Sequence, residues 1–119
     1  MRHRVKTKRL GRDYSHRKAL LRNLATSLVL HERMETTEAK AKALQPVIEK
    51  LISHILKDEP REAIRKLNAY FYDKAASRKM MEILKPRYKD KKSGFTRIRA
   101  VKFRDGDSSK VCQIELIQD

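Results

Sequence analysis

The first thirty residues restrict what this chain can fold into more than any other stretch. Arg2, Arg4, Lys6, Lys8, Arg9, Arg12, Arg17, Lys18 and Arg22 place nine cations there, and Asp13 is the only acid among them. Like charges at that density repel, and residues 1–14 offer little apolar surface to offset the entropy lost on ordering. An arm of this kind is ordered by a polyanion rather than by its own core. Fully extended, it reaches roughly 45 Å, enough to thread into a folded nucleic acid rather than rest on it.

The rest of the chain repeats that bias. A formal charge of +15 over 119 residues, with pI near 10.3, disfavours a compact state unless a partner neutralises it. Nucleic acid is the first partner such a charge implies. No apolar run approaches the ~20 residues that span a bilayer, so a membrane is not expected, and the charged opening does not read as a secretory leader. Cys112 is the only cysteine, which excludes an internal disulfide and fits a reducing cytoplasm. The four histidines are dispersed, so no metal site or cofactor is expected.

The pattern predicts an α+β fold, with about four helices packed on a small sheet. Residues 1–14 form the basic arm and residues 15–119 one globular domain. Ser15 is read as the N-cap of a first helix carrying Leu20, Leu21, Leu24 and Leu28 on one face and Arg22, Asn23 and Thr26 on the other. That polar face extends the arm into one phosphate-facing surface. Arg33 to Thr36 reads as a short strand, and Thr37 as the cap of a second helix with Glu38 at its first position.

This second helix carries Ala41, Leu44, Ile48, Leu51, Ile52 and Ile55 in phase on both sides of Pro46, so a kink is expected there rather than a break. Asp58-Glu59-Pro60 stops it and starts a third helix, with Ala63, Ile64, Leu67 and Tyr70 or Phe71 buried. Asp73 caps a fourth, with Ala76, Met80, Ile83 and Leu84 buried and Pro86 as terminator.

Beyond it, Thr96 to Phe103 and Val111 to Ile117 read as an antiparallel hairpin. The parity change between Ile98 and Val101 calls for a bulge or for burial on both faces. Asp105-Gly106-Asp107 is turn chemistry; the rest of a calcium-loop ligand series is missing.

Catalysis needs a nucleophile, a base and an orienting group, or paired carboxylates at fixed separation. Ser15-His16 lies at the junction of arm and helix, where His16 is as well read as a nucleic-acid contact, and Glu32, Glu35 and Glu38 cross three elements. No enzyme and no small-molecule substrate are expected. Tyr14 and Tyr88 are available either to stack on bases or to cover helix ends. The pattern is neither helix-turn-helix nor zinc finger, and RNA, recognised by shape, phosphate and 2′-hydroxyl, suits it better than DNA. A DNA-architectural protein is the alternative, and a catalytic RNA-processing factor the third reading.

Three motifs in order point further. Met1-Arg2-His3-Arg4, Leu10-Gly11-Arg12 and Ser15-His16-Arg17-Lys18-Ala19-Leu20-Leu21-Arg22-Asn23-Leu24-Ala25 open the chain, Thr36-Thr37-Glu38-Ala39-Lys40-Ala41-Lys42 follows, and Gly94 to Arg97, Gly106-Asp107 and Ile114-Glu115-Leu116 close it. Together they resemble the family of the seventeenth protein of the bacterial large ribosomal subunit, over the whole chain.

The resemblance implies a cytoplasmic, ribosomal, structural component of translation. It implies binding to large-subunit ribosomal RNA on the outer surface near the peptide-tunnel exit, with other ribosomal proteins beside it. The residues alone read this segment either as a plain helix start or as a helix N-terminus, with Lys40 and Lys42 just inside it, that faces a phosphate; the resemblance favours Thr36, Thr37, Lys40 and Lys42 as RNA contacts. With the arm's Arg2, His3, Arg4, Lys6, Lys8, Arg9 and Arg12, the helix's His16, Arg17, Lys18, Arg22 and Asn23, and the hairpin's Arg97 and Arg99, these make the expected RNA-binding set.

Overall fold

A computed structural model describes residues 14–103, 106 and 110–118, with the side chain of Tyr14 left out. Residues 1–13, where the basic arm is expected, and residues 104, 105 and 107–109 of the expected turn, Asp105 and Asp107 among them, lie outside the described residues. The elements are α1 (Tyr14–His31), β1 (Arg33–Thr37), α2 (Glu38–Lys57), α3 (Pro60–Tyr70), α4 (Lys74–Lys79), a π-helical turn (Met80–Leu84), α5 (Lys85–Tyr88), β2 (Thr96–Phe103) and β3 (Lys110–Leu116). The expected α+β architecture is what forms: helices on one side of a three-stranded antiparallel sheet ordered β1-β3-β2.

The central element is α2. Its apolar stripe of Ala41, Leu44, Ile48, Ile52 and Ile55 is fully buried, and the helix runs through Pro46, which lies on the exposed side, where water can reach the Lys42 carbonyl left without a donor. Against it pack Ala25, Leu28 and Val29 of α1, Leu67 of α3, and Cys112, Ile114 and Leu116 of β3. The caps explain the boundaries. Thr37 Oγ1 accepts from the Lys40 N–H at 3.4 Å, and Asp73 Oδ1 accepts from the Ala75 N–H at 2.8 Å. Pro60 stands in the first turn of α3, where its missing N–H costs no hydrogen bond.

Several expectations need correction. α1 begins at Tyr14, so Ser15 is inside the helix and not its N-cap. Its fully buried face is Ala25, Leu28 and Val29, with Leu21 and Leu24 packed against the same core but only partly buried.

Ile64 and Ile83, expected in the core, are 43% and 47% exposed. For Ile83 the reason is the π turn. The buried apolar residues in this run are Ala76, Met80, Leu84 and Tyr88, every fourth position. In an α-helix four residues overshoot one turn by about 40°, so such a stripe would drift off the core. The wider π turn, in which the Lys85 N–H reaches the Met80 carbonyl, absorbs the drift and turns Ile83 outward. It also explains why Pro86 does not terminate the helix: it falls in the first turn of α5, where no donor is required of it.

In the hairpin the structure chooses between the two expected alternatives. Val101 and Phe103 are 44% and 69% exposed, so burial on both faces is excluded; the ladder instead shifts register between Ala100 and Lys102, leaving Val101 as a bulge.

Candidate nucleic-acid interface

The sheet has one side against the helices and one open side. Cys112, Ile114 and Leu116 alternate toward the helices with Met34, Thr36, Ile98 and Ala100 opposite them. The intervening positions therefore share the open side, where pairing makes three rows: Arg33–Glu115–Arg97, Glu35–Gln113–Arg99 and Thr37–Val111–Lys102. Four cations stand there against two acids. Glu115 is bonded by both Arg97 Nε at 3.3 Å and Arg99 Nε at 3.4 Å, yet those arginine side chains remain 56% and 57% exposed. One carboxylate thus orients two guanidinium groups without covering them.

The bulge contributes to this surface. Adding one residue at Val101 reverses the alternation, so Lys102 joins Arg97 and Arg99 on the open side instead of pointing toward α2. At the same end of the sheet, Thr36 and Thr37 lead into α2, with Lys40 and Lys42 just inside it. Thr37 already serves as cap and Glu38 already sits at the positive helix end, so anion attraction here rests with the lysine side chains. Glu38 Oε2 bridges Lys110 Nζ at 3.1 Å and Lys42 Nζ at 3.9 Å, tying the hairpin to the first turn of α2. The hydrogen bond from Lys110, then the charges of Lys110 and Lys42, hold the Glu38 carboxyl below its usual range.

The opposite end of the sheet is built around Glu32, whose importance the sequence does not signal. This residue has φ +68°. Its N–H donates to the Leu28 carbonyl at 2.7 Å and its carbonyl accepts from the Leu116 N–H at 2.8 Å, so it turns the chain from α1 into the sheet. Its carboxylate accepts from Arg87 Nη1 at 2.6 Å and Nη2 at 3.1 Å, from Lys79 Nζ at 3.0 Å and from Gln118 Nε2 at 3.2 Å. Lys79 Nζ also donates to the Leu30 carbonyl at 3.1 Å, the last turn of α1, where a cation is favoured. The Arg87 hydrogen bonds, opposed by desolvation and aided by Lys79, bring the Glu32 carboxyl down to about 2. A cleft lined by Glu32, Arg33, Lys79, Arg97 and Glu115 opens beside this knot.

A second knot sets the start of β2. Glu49 on α2 accepts from the Phe95 N–H at 3.0 Å, the Thr96 N–H at 2.9 Å and the Thr96 hydroxyl at 2.7 Å, with the Gly94 N–H at 3.2 Å. Gly94 itself is at φ +73°, a conformation that favours glycine. The sequence shows Glu49 only as a polar position on a helix.

The remaining expected contacts lie elsewhere. His16, Arg17 and Lys18 occupy the first turns of α1, and Asn23 is exposed on the same helix. Arg22 is held at the end of α3: its guanidinium carbon lies 5.4 Å from the Tyr70 ring centre and 5.6 Å from that of Tyr72, and its Nε is buried without a hydrogen-bond partner. It is therefore committed to packing at least in part. Tyr88 cannot stack on a base. It is 1% exposed, packs on Phe95 with ring centres 5.2 Å apart, and donates its hydroxyl to the Ile117 carbonyl. Arg2, His3, Arg4, Lys6, Lys8, Arg9 and Arg12 lie outside the described residues.

Among the described residues no cluster of His, Cys, Asp or Glu could hold a metal ion, and no helix is long and apolar enough to cross a membrane. The surface that the described residues do build is cationic, solvent-facing and carried by a three-stranded sheet.

Comparison with known proteins agrees with that surface. The family model described as Ribosomal protein L17 matches residues 20–117. The chain is 42% identical over 119 residues to the large ribosomal subunit protein bL17 of Geobacter sulfurreducens, covering 100% of this chain and 67% of that one. It is 44% identical over 117 residues to the bL17 of Wolinella succinogenes, covering 98% and 100%, and 41% identical over 124 residues to that of Petrotoga mobilis, covering 98% and 97%. The chain belongs to the ribosomal protein L17 family and is a structural, non-enzymatic constituent of the bacterial large ribosomal subunit.

Proposed function

We propose that the chain fastens large-subunit ribosomal RNA, with its basic arm entering the RNA and the folded part fixing where the arm enters. In this reading residues 1–14 are the RNA-binding arm and residues 15–119 fold as one unit. Arg2, His3, Arg4, Lys6, Lys8, Arg9 and Arg12 contact phosphates, continued by His16, Arg17, Lys18 and Asn23 on α1. Further contacts are made by Lys40 and Lys42 with Thr36 and Thr37 where β1 enters α2, and by Arg97 and Arg99 on the open side of the sheet. Arg22 contributes through whatever part of its guanidinium the two tyrosines leave open. Neighbouring ribosomal proteins adjoin the faces that RNA does not cover.

The observation that carries this reading is the open side of the sheet, where Arg97 and Arg99 stay more than half exposed while sharing a single carboxylate. Cations held in place but left uncovered suit a phosphate backbone, since little side-chain entropy remains to be lost on contact. Membership of a ribosomal family supplies the RNA.

Each phosphate contact releases counterions, so log K should fall with log salt by about 0.7 to 0.9 per contact. The test is binding of the full chain and of a chain lacking residues 1–12 to large-subunit ribosomal RNA across a salt series, with duplex DNA at equal phosphate concentration as competitor. The deletion should fold, bind more weakly and show a shallower slope, and ribosomal RNA should outcompete the duplex. A deletion that binds undiminished at moderate salt, or a preference for the duplex, would refute the reading.

A further inference from the structure

Phe103 is 69% exposed, the most uncovered of the large hydrophobic side chains described. A lone exposed apolar residue is ordinary, but the surroundings of this one are not. Phe103 pairs with Lys110, and Lys110 is on the helix-facing side of β3 with Cys112 and Ile114. Lys110 Nζ reaches Glu38 in the first turn of α2. Phe103 therefore projects on the side that α2 covers further along, at the point where α2 has begun and its cover runs out.

The bulge at Val101 produces this placement. Without the extra residue, Phe103 would continue the parity of Arg97 and Arg99 on the open side; with it, Lys102 takes that side and Phe103 the other. An aromatic face thus stands between two groups of cations. Arg99 and Lys102 lie on the open side, and on the other Lys110, paired opposite Phe103, is bridged through Glu38 to Lys42, which shares the α2 face of Gln45 and Glu49 that bonds to β2. A protein partner docking an apolar patch would have to desolvate these charges, whereas a nucleotide brings a π-face for the ring and a phosphate on either side for the cations. Paired bases already have their faces stacked, so the occupant is an unpaired one.

We infer that Phe103 is a stacking platform for one unpaired nucleobase of the ribosomal RNA, with the flanking phosphates met by Lys102 on one side and by Lys110 and Lys42 on the other. The inference rests on the RNA-binding reading above and adds to it a base contact, which none of the cations supplies.

The chain contains no tryptophan, so Phe103→Trp introduces a single indole reporter. In the full-length chain its fluorescence should be quenched on adding protein-free large-subunit ribosomal RNA, because a base stacks on it. Phe103→Ala should weaken binding about 5- to 150-fold while leaving the salt slope unchanged, since no charge is removed. Phe103→Leu, which keeps apolar area but has no π-face, should lose nearly as much. Being exposed, all three should melt like the parent.

An unquenched indole, together with Phe103→Ala binding within twofold of the parent while Arg97→Gln and Arg99→Gln bind more weakly, overturns the platform and leaves the RNA reading standing. Phe103→Leu binding like the parent also overturns it, since apolar contact would then suffice. A parent chain that binds no ribosomal RNA removes both.

Discussion

Replacing Glu32 by glutamine should remove one of the larger side-chain contributions to stability in this fold. The carboxyl is held at about 2 against an ordinary value of 4.5, chiefly by the Arg87 hydrogen bonds. At about 1.4 kcal/mol for each pH unit, full linkage gives about 3 kcal/mol. The side chain keeps 18% of its exposure and water screens part of the charge, so about 2 kcal/mol is expected.

The sign follows from the direction of the shift. The folded value is depressed, so this stability is fully present above about 4.5 and is lost as pH falls toward about 2. Urea unfolding of the parent and Glu32→Gln, run at several pH values, isolates the effect, because every other carboxylate titrates in both proteins. The gap should be about 2 kcal/mol at neutral pH and should shrink between pH 4.5 and 2. Glu32→Gly serves as a companion, since it loses the carboxylate but relieves a left-handed backbone worth about 1 kcal/mol, and so should fall between the two. A gap below about 0.5 kcal/mol, or one that does not change with pH, would show that Arg87 and Lys79 do not hold this carboxylate as the geometry indicates.

Two further outcomes follow from the packing. Glu49→Ala strips the acceptor from three consecutive backbone N–H groups and should cost about 3 kcal/mol in chemical denaturation, with amide exchange accelerating first at Phe95 and Thr96; unchanged protection there would contradict the role given to Glu49. Leu84→Ala should cost about 2–5 kcal/mol whereas Ile83→Ala should stay within about 1 kcal/mol; equal losses would mean that the wider turn after Lys79 does not redirect the buried stripe.

Much of this architecture is written in short-range chemistry. Thr37 before Glu38 announces a helix start, Asp58-Glu59-Pro60 a stop and restart, and the alternation from Val111 onward a strand, because each depends on backbone groups within about four residues. The cationic face was legible too, since Arg97 and Arg99 two apart in a strand must share a side. The parity change at Val101 left two alternatives open, and only the paired strand decided between them in favour of a bulge.

Other features needed partners far along the chain. Glu32 is bound by Arg87, and Glu49 receives the backbone of Phe95 and Thr96, across sequence separations of 55, 46 and 47 residues. No local preference places a glutamate in left-handed backbone or assigns a helical carboxylate to a strand's first N–H groups. Arg22 looked like one more solvent-facing cation until α3 brought Tyr70 and Tyr72 beside it. Ile83 and Phe103 make the same point from the apolar side. Hydrophobicity says that such residues gain by burial, but which of them are buried depends on where the neighbouring element ends, and that is settled only when the whole core is packed.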